Sequence, residues 1–306
     1  MRLSGRLNMR HLELFVETAN RKSVSRAAEA LNLTQPAVSR SLRELEALCG
    51  KPLFEKSGRG IRLSPFGAIF LRHAGASLAA AREGVRALQD LAPEQGPPLR
   101  IGALPTVLAT ILPKAVTAYR ADSPGARLSV SSGSNLYLLD DLRDGGLDLV
   151  VGRLPAPETM TGIVFEPLYR ERVVVVVAKG HPLEGARLLG PGDLTRFPVL
   201  LPGAGSIIRP FVDRLLLEQG LTPPMDAIET VSPSFGWACV REAGAIWFIS
   251  RGVVAAHLDS GEFAELPMDT ETTLGSVGLC TRAEAAPSAS VARFAALLRR
   301  IGAGQG

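Results

Sequence analysis

The stretch from Ser23 to Leu48, SVSRAAEALNLTQPAVSRSLRELEAL, admits few folds. Ser23 is suited to cap a short helix from about Val24 to Leu31. Ala27 and Ala28 are small enough to let a second helix come close. Asn32-Leu33 makes a tight turn, because Asn tolerates the left-handed conformation and Leu33 can plug the core. Thr34 then caps a second helix, with Pro36 in its first turn, where the missing N–H does no harm. Two short helices around a tight turn form a helix-turn-helix, and the second helix is the one that enters a DNA major groove.

On that second helix Val38, Leu42 and Leu45 share one face and must be buried. Gln35, Ser39, Arg40 and Arg43 occupy the other. Gln pairs bidentately with adenine and Arg with guanine, while Ser and the remaining Arg suit phosphates. A polar helix face is more often simply solvated, so the flanks carry weight. Leu53 to Lys56 and Ile61 to Leu63 are β-like runs around Ser57-Gly58-Arg59-Gly60. They read as a wing whose Arg59 and Arg62 reach the backbone or minor groove. With Ser25, Thr34 and Pro36, these residues are the candidate DNA contacts. Residues 1–65 hold 12 Lys and Arg against 6 Asp and Glu, and the remainder hold 22 against 24. Positive charge is therefore concentrated where a polyanion would bind.

At 306 residues the chain is long for one domain, and its 46% hydrophobic content suffices for more than one core. The longest apolar run, Val173 to Ala178, is strand-sized and far short of a membrane span. The N-terminal residues lack the apolar run of an export signal, which points to the cytoplasm. Cys49, Cys239 and Cys280 are far apart, and neither they nor His11, His73, His181 and His257 have metal spacing. No nucleophile–base pair or phosphate loop suggests an enzyme. A metal or cofactor is not expected.

A helix from about Pro65 to Leu91, capped by Ser64, carries Phe66, Phe70, Ala74, Leu78, Ala81, Val85, Leu88 and Leu91 at spacings of three and four. The stripe suits pairing with the same helix of a second subunit better than packing on its own domain, since helix-turn-helix readers commonly bind two-fold sites as dimers. Residues 92–98, APEQGPP, form a linker. Beyond it strands and helices alternate. Strands are expected at Leu99–Ala103, Arg127–Ser132, Leu147–Gly152, Arg172–Ala178 and Pro198–Leu201. Helices are expected at Val107–Tyr119, Leu136–Asp144, Ile207–Gln219 and Val291–Ile301. Alternation of this kind predicts parallel α/β sheets.

Such sheets bind small molecules beyond the strands' C-terminal ends, against helix N-termini that attract carboxylates. Three strand-to-helix turns fit: Leu104 to Val107, where Thr106 can cap the helix; Ser132 to Asn135; and Pro202 to Ile207. Each by itself is equally an ordinary cap. Arg153 follows a strand end, and Arg209 lies in a helix's first turn, where a cation is unfavourable without an anionic partner. A surface arginine is the even alternative.

Taken whole, the chain resembles the LysR-type transcriptional regulators. Ala27-Ala28, Leu33 to Ser39, Leu45-Glu46, Leu53-Phe54 and Leu63 to Gly67 carry the resemblance. It implies a winged helix-turn-helix over residues 1–65, a dimerising linker helix and hinge over 66–98, and an effector domain over 99–306. That domain would comprise two Rossmann-like subdomains like those of periplasmic binding proteins, at about 99–165 with 267–306 and 166–266. Homodimers or homotetramers, double-stranded DNA of two-fold symmetry, RNA polymerase and a small effector are the implied partners. Met1 to Arg6, Gly102 to Val107, Asp148 to Leu154 and Ser206 to Val212 resemble the branch that activates protocatechuate catabolism, whose effector would be anionic, such as a carboxymuconate. A galactose-responsive branch shares several of these stretches. The effector set so implied is Pro105, Thr106, Val107, Ser134, Asn135, Arg153, Ser206, Ile207, Arg209 and Phe235.

Overall fold

The computed structural model describes residues 7–57, 60–89, 98–185, 190, 192–283 and 287–305. The first helix, α1 (Met9–Arg21), is capped by Asn8, whose Oδ1 accepts from His11 N at 3.0 Å. Leu12, Phe15, Val16 and Ala19 recur along it at helical spacing and are buried. Next, α2 (Val24–Ala30) has Ser23 as its cap, and Asn32 takes the left-handed φ of 52° that the turn requires. Val38, Leu42 and Leu45 of α3 (Gln35–Cys49) are buried in the same core as Phe15. Thr34 stands at the cap position of α3, but its side chain makes no capping bond. The wing strands β1 (Phe54–Ser57) and β2 (Gly60–Leu63) pair antiparallel, Phe54 opposite Leu63. Its tip, with Arg59, lies outside the described residues.

The long helix α4 (Pro65–Gln89) begins at Ser64, whose Oγ accepts from Gly67 N at 2.9 Å. Its expected stripe divides. Phe70, Ala74 and Leu78 pack into the helix-turn-helix core, with Phe70 edge-on to Phe15 at 5.1 Å between centroids. Phe66, Ile69 and Val85 stay 45%, 52% and 55% exposed. The side chain of Leu88, and Leu91, lie outside the described residues.

The rest runs β3 (Leu99–Ala103), α5 (Pro105–Leu108), α6 (Ile111–Asp122), β4 (Leu128–Ser132), α7 (Asn135–Arg143), β5 (Leu149–Arg153), β6 (Ile163–Glu171), β7 (Val173–Ala178), α8 (Asp193–Arg196), β8 (Val199–Leu201), α9 (Arg209–Glu218), β9 (Ile228–Glu229), α10 (Pro233–Ala243), β10 (Ile246–Ser250), α11 (Arg251–Asp259), β11 (Phe263–Glu265), β12 (Gly275–Arg282) and α12 (Ala289–Gly302). One helix was expected over Val107–Tyr119, but it breaks at Ala109-Thr110. A continuous helix would drive the Pro113 ring against the Ala109 carbonyl. Restarting at Ile111 puts that proline in a first turn, where it is tolerated.

The strands form two sheets, ordered β4-β3-β5-β12-β6 and β11-β7-β10-β8-β9, which define lobes I and II. They are not wholly parallel. β12 runs antiparallel to β5 and β6, and β7 antiparallel to β10 and β11. The reason is that the chain crosses between sheets twice, once at Arg172 and again between Glu265 and Gly275, so the crossing strands run against their neighbours. Lobe I keeps the chain through Glu171, beyond the boundary at 165 expected from sequence. Val173 to Val177, Trp247 and Phe248 form the core of lobe II. Tyr119 of α6 meets Phe294 of α12 edge-on in that of lobe I.

Candidate nucleic-acid interface and ligand cleft

Burying Val38, Leu42 and Leu45 turns the other face of α3 outward, and Thr34, Gln35, Pro36, Arg40 and Arg43 are exposed on it. Ser39 is half-buried, and Ser25 is exposed on α2. Arg43 Nε donates to Ser39 O at 3.2 Å, which holds the side chain along the helix. Arg62 faces Glu55 across the wing at 2.9 Å, so reaching DNA would require it to leave that partner. Glu46 fixes the angle between wing and helix. Its Oε1 accepts from Leu53 N at 2.7 Å and Phe54 N at 3.2 Å. Sequence reasoning noted Glu46 only as part of a motif, since its partners are backbone groups that no side-chain pattern betrays.

A cleft of about 400 Å³ opens between the lobes. Lobe I lines it with Leu104, Pro105, Thr106, Ser134, Asn135 and Arg153, and lobe II with Ser206, Ile207, Ile208, Val231, Ile249 and Ser250, among others. The starts of α7, α9 and α11 all reach it, so the positive ends of three helices converge there, although Tyr137 N, Arg209 N, Arg251 N and Gly252 N already have partners within the protein. Ser134 caps α7 through Tyr137 N at 3.3 Å.

Two buried charges stand at the back of this cleft. Arg153 is 3% exposed, and Glu171 is 7% exposed. Arg153 Nη2 donates to Glu171 O at 2.9 Å and to Thr273 O, while its Nη1 is buried without a hydrogen-bond partner. The Glu171 carboxylate accepts from Thr106 Oγ1 and from Gly252 N, each at 2.6 Å. Burial pushes the Glu171 carboxyl above the usual carboxylate range, and the Thr106 and Gly252 bonds and nearby Arg153 oppose the rise. A second cavity, of about 420 Å³, lies between α4 and lobe I. Two of its arginines are already engaged: Arg143 with Asp140 and Thr161 O, and Arg282 with the carbonyls of Leu142 and Leu147.

A family model described as the LysR substrate binding domain matches residues 92–303, and one for bacterial regulatory helix-turn-helix proteins of the lysR family matches 9–68. The chain belongs to the LysR family. Among its relatives is the transcriptional regulator PcaQ of Agrobacterium fabrum, 48% identical over 92% of this chain and 91% of that protein. A full-length, singly substituted OxyR of Pseudomonas aeruginosa shares the fold at a TM-score of 0.56 and 25% identity, covering 95% and 97% of the two chains. CbnR, solved with its target DNA, shares it at 0.54 and 21% identity, covering 96% and 100%. As a LysR-type transcription regulator the protein binds DNA through its helix-turn-helix and a small molecule through its substrate-binding domain.

Of the effector residues expected for a LysR-type protein, Pro105, Thr106, Ser134, Asn135, Arg153, Ser206 and Ile207 line the cleft. Three do not. Val107 is wholly buried in the lobe I core, because α5 turns it away from the cleft. Phe235 lies on α10, 46% exposed and outside the lining. Arg209 meets Glu229 at 2.6 Å and Asp213 at 2.7 Å. Those carboxylates compensate its unfavourable place at the start of α9, so it needs no ligand there. Thr106 is not the cap of α5. Leu104 holds that position, and the Thr106 hydroxyl turns to Glu171 instead. Sequence reasoning missed Glu171 and Gly252, which meet across 81 residues of chain. Burial pushes the Cys280 thiol up to about 12, leaving it without thiolate character at neutral pH. Among the described residues no His, Cys, Asp or Glu side chains cluster as a metal would need, and no helix is long and apolar enough to cross a membrane.

Proposed function

We propose that this LysR-type regulator activates genes of protocatechuate catabolism, and that its effector is an anionic ring-cleavage acid such as carboxymuconate, bound in the cleft between the lobes. One observation carries the effector class: Arg153, with its buried and unpartnered Nη1, on the wall of a cleft where three helix N-termini converge. A buried cation with an open donor calls for an anion. Apolar Leu104, Ile207, Val231 and Ile249 suit a carbon skeleton between the charged ends. The pathway rests on the likeness to PcaQ.

Ligand between the lobes favours one relative orientation of the subunits in a dimer or tetramer. That shifts how paired recognition helices sit on a two-fold site and how RNA polymerase is met. The contacts proposed on DNA are Ser25, Thr34, Gln35, Pro36, Ser39, Arg40, Arg43, Arg59 and Arg62. A thermal-shift screen of the full-length protein against protocatechuate, carboxymuconate, muconate, galactose and sugar acids tests the reading. Concentration-dependent stabilisation by carboxymuconate supports it. Stabilisation by a sugar alone moves the protein to a sugar-responsive branch and removes the anionic effector.

A further inference from the structure

We propose that Arg153 passes occupancy of the cleft to the two segments joining the lobes, an inference that rests on reading the cleft as an anion site. Its guanidinium holds the hinge, and Arg153 is one of the residues that line the cleft. Nη2 donates to the carbonyls of Glu171, which ends β6, and Thr273, which precedes β12. Those residues flank the two crossings between the sheets, so one nitrogen ties both. Nη1 has no partner in a residue that lines the cleft. The Phe211 ring of α9, in lobe II, lies 5.1 Å from the guanidinium carbon and helps to fix its plane. The planar group is rigid, so an anion drawn to Nη1 and the carbonyls held by Nη2 move as one.

The surroundings support a hinge role. Glu171 bridges the lobes through its side chain as well, from Thr106 of α5 to Gly252 N of α11. Thr273 Oγ1 accepts from Val173 N at 2.9 Å, tying the two crossings to each other. Room for the guanidinium comes from Gly275, where an added Cβ would lie 2.8 Å from Nη2. Arg153 is thus a positioning residue for the hinge as well as a contact for the ligand. A lysine would keep the charge but could not fork between cleft and carbonyls.

The test uses the full-length protein with carboxymuconate as probe, reading ligand-induced thermal shift for binding and the DNA footprint for response. Arg153→Gln should need at least about tenfold more probe for the same shift. Arg153→Lys should still be stabilised by the probe, yet lose the probe-dependent change in footprint. Gly275→Ala keeps the cation but displaces it, and should bind probe while responding only at higher concentration. A purely structural arginine would lower the stability of every variant and leave the probe-induced increment and footprint change as in the parent. That result, or parent-like response in both Arg153→Lys and Gly275→Ala, overturns the proposal. If the Arg153 variants do not fold, Gly275→Ala decides alone. If carboxymuconate fails to stabilise the unaltered protein, the anion reading fails and the proposal falls with it. Stabilisation of the parent with a parent-like footprint response in both Arg153→Lys and Gly275→Ala refutes the coupling and leaves the anion reading standing.

Discussion

Glu171 sits where a carboxylate is costly, behind the cleft and out of water. Because its folded-state pKa is raised, the native protein holds this proton more tightly than the unfolded chain does. Its contribution to stability is therefore fullest in acid and declines as pH rises from the ordinary glutamate value of about 4.3 through the raised one. Glu171→Gln should remove that decline, so the stability difference, variant minus parent, grows with pH; thermal unfolding of both proteins from about pH 4 to 8 measures it. Gly252→Ala forces a Cβ against Thr106 Oγ1 and to within 2.6 Å of Glu171 Oε1. It should destabilise by about 1–3 kcal/mol, the usual cost of overpacking, read from chemical unfolding. At the other end of the chain, Arg40→Ala should cost about 1–3 kcal/mol on operator DNA if Arg40 reads a base. Anisotropy titrations showing equal loss on operator and scrambled DNA would make it a phosphate contact.

Helix α4 shows two faces that one periodic stripe concealed. Phe70, Ala74 and Leu78 serve the helix-turn-helix core, while Phe66, Ile69 and Val85 face outward. If that outer face pairs two subunits, Ile69→Asp should shift the protein toward monomer in analytical ultracentrifugation with its unfolding midpoint little changed. α7 spans from the cleft, at Ser134 and Asn135, to Asp144, whose carbonyl accepts from Arg82 of α4 at 3.2 Å. Local chemistry made much of this readable. The turns at 104–107, 132–135 and 202–207 were legible as strand-to-helix turns because Ser, Thr, Asn, Gly and Pro mark chain reversals, and each lies between a strand pattern and a helix pattern. The strands β5, β7 and β8 announced themselves by apolar runs, and β3 and β4 by alternation of apolar residues with small or polar ones. β6 and β12 gave weaker signals, because Pro167 interrupts the first and two of the eight residues of the second are Gly. β10, IWFIS, is a short apolar run of the kind that periodicity alone cannot tell from a buried helix. Nor could spacing show that Glu229 neutralises Arg209, since β9 brings it there from 20 residues away.

For the molecule as a whole, charge is divided as the work is divided. Residues 1–65 carry 12 Lys and Arg against 6 Asp and Glu, and the remainder are slightly acidic. DNA affinity should fall linearly on a double-logarithmic plot against salt, by about 0.9 in slope for each phosphate neutralised. Removing residues 99–306 should abolish any response to effector while leaving that salt dependence in the remaining fragment, which gel-shift titrations would show. Sheet order also governs how the protein is born. Lobe II is spun from an unbroken stretch of chain, but lobe I needs β12, which lies between β5 and β6 and is β6's partner in the sheet. A ribosome that has already delivered all of lobe II still holds back the strand that closes lobe I. Until residue 282 emerges, β5 and β6 present open edges to their surroundings, and a chain stopped short of Gly275 keeps them open for good.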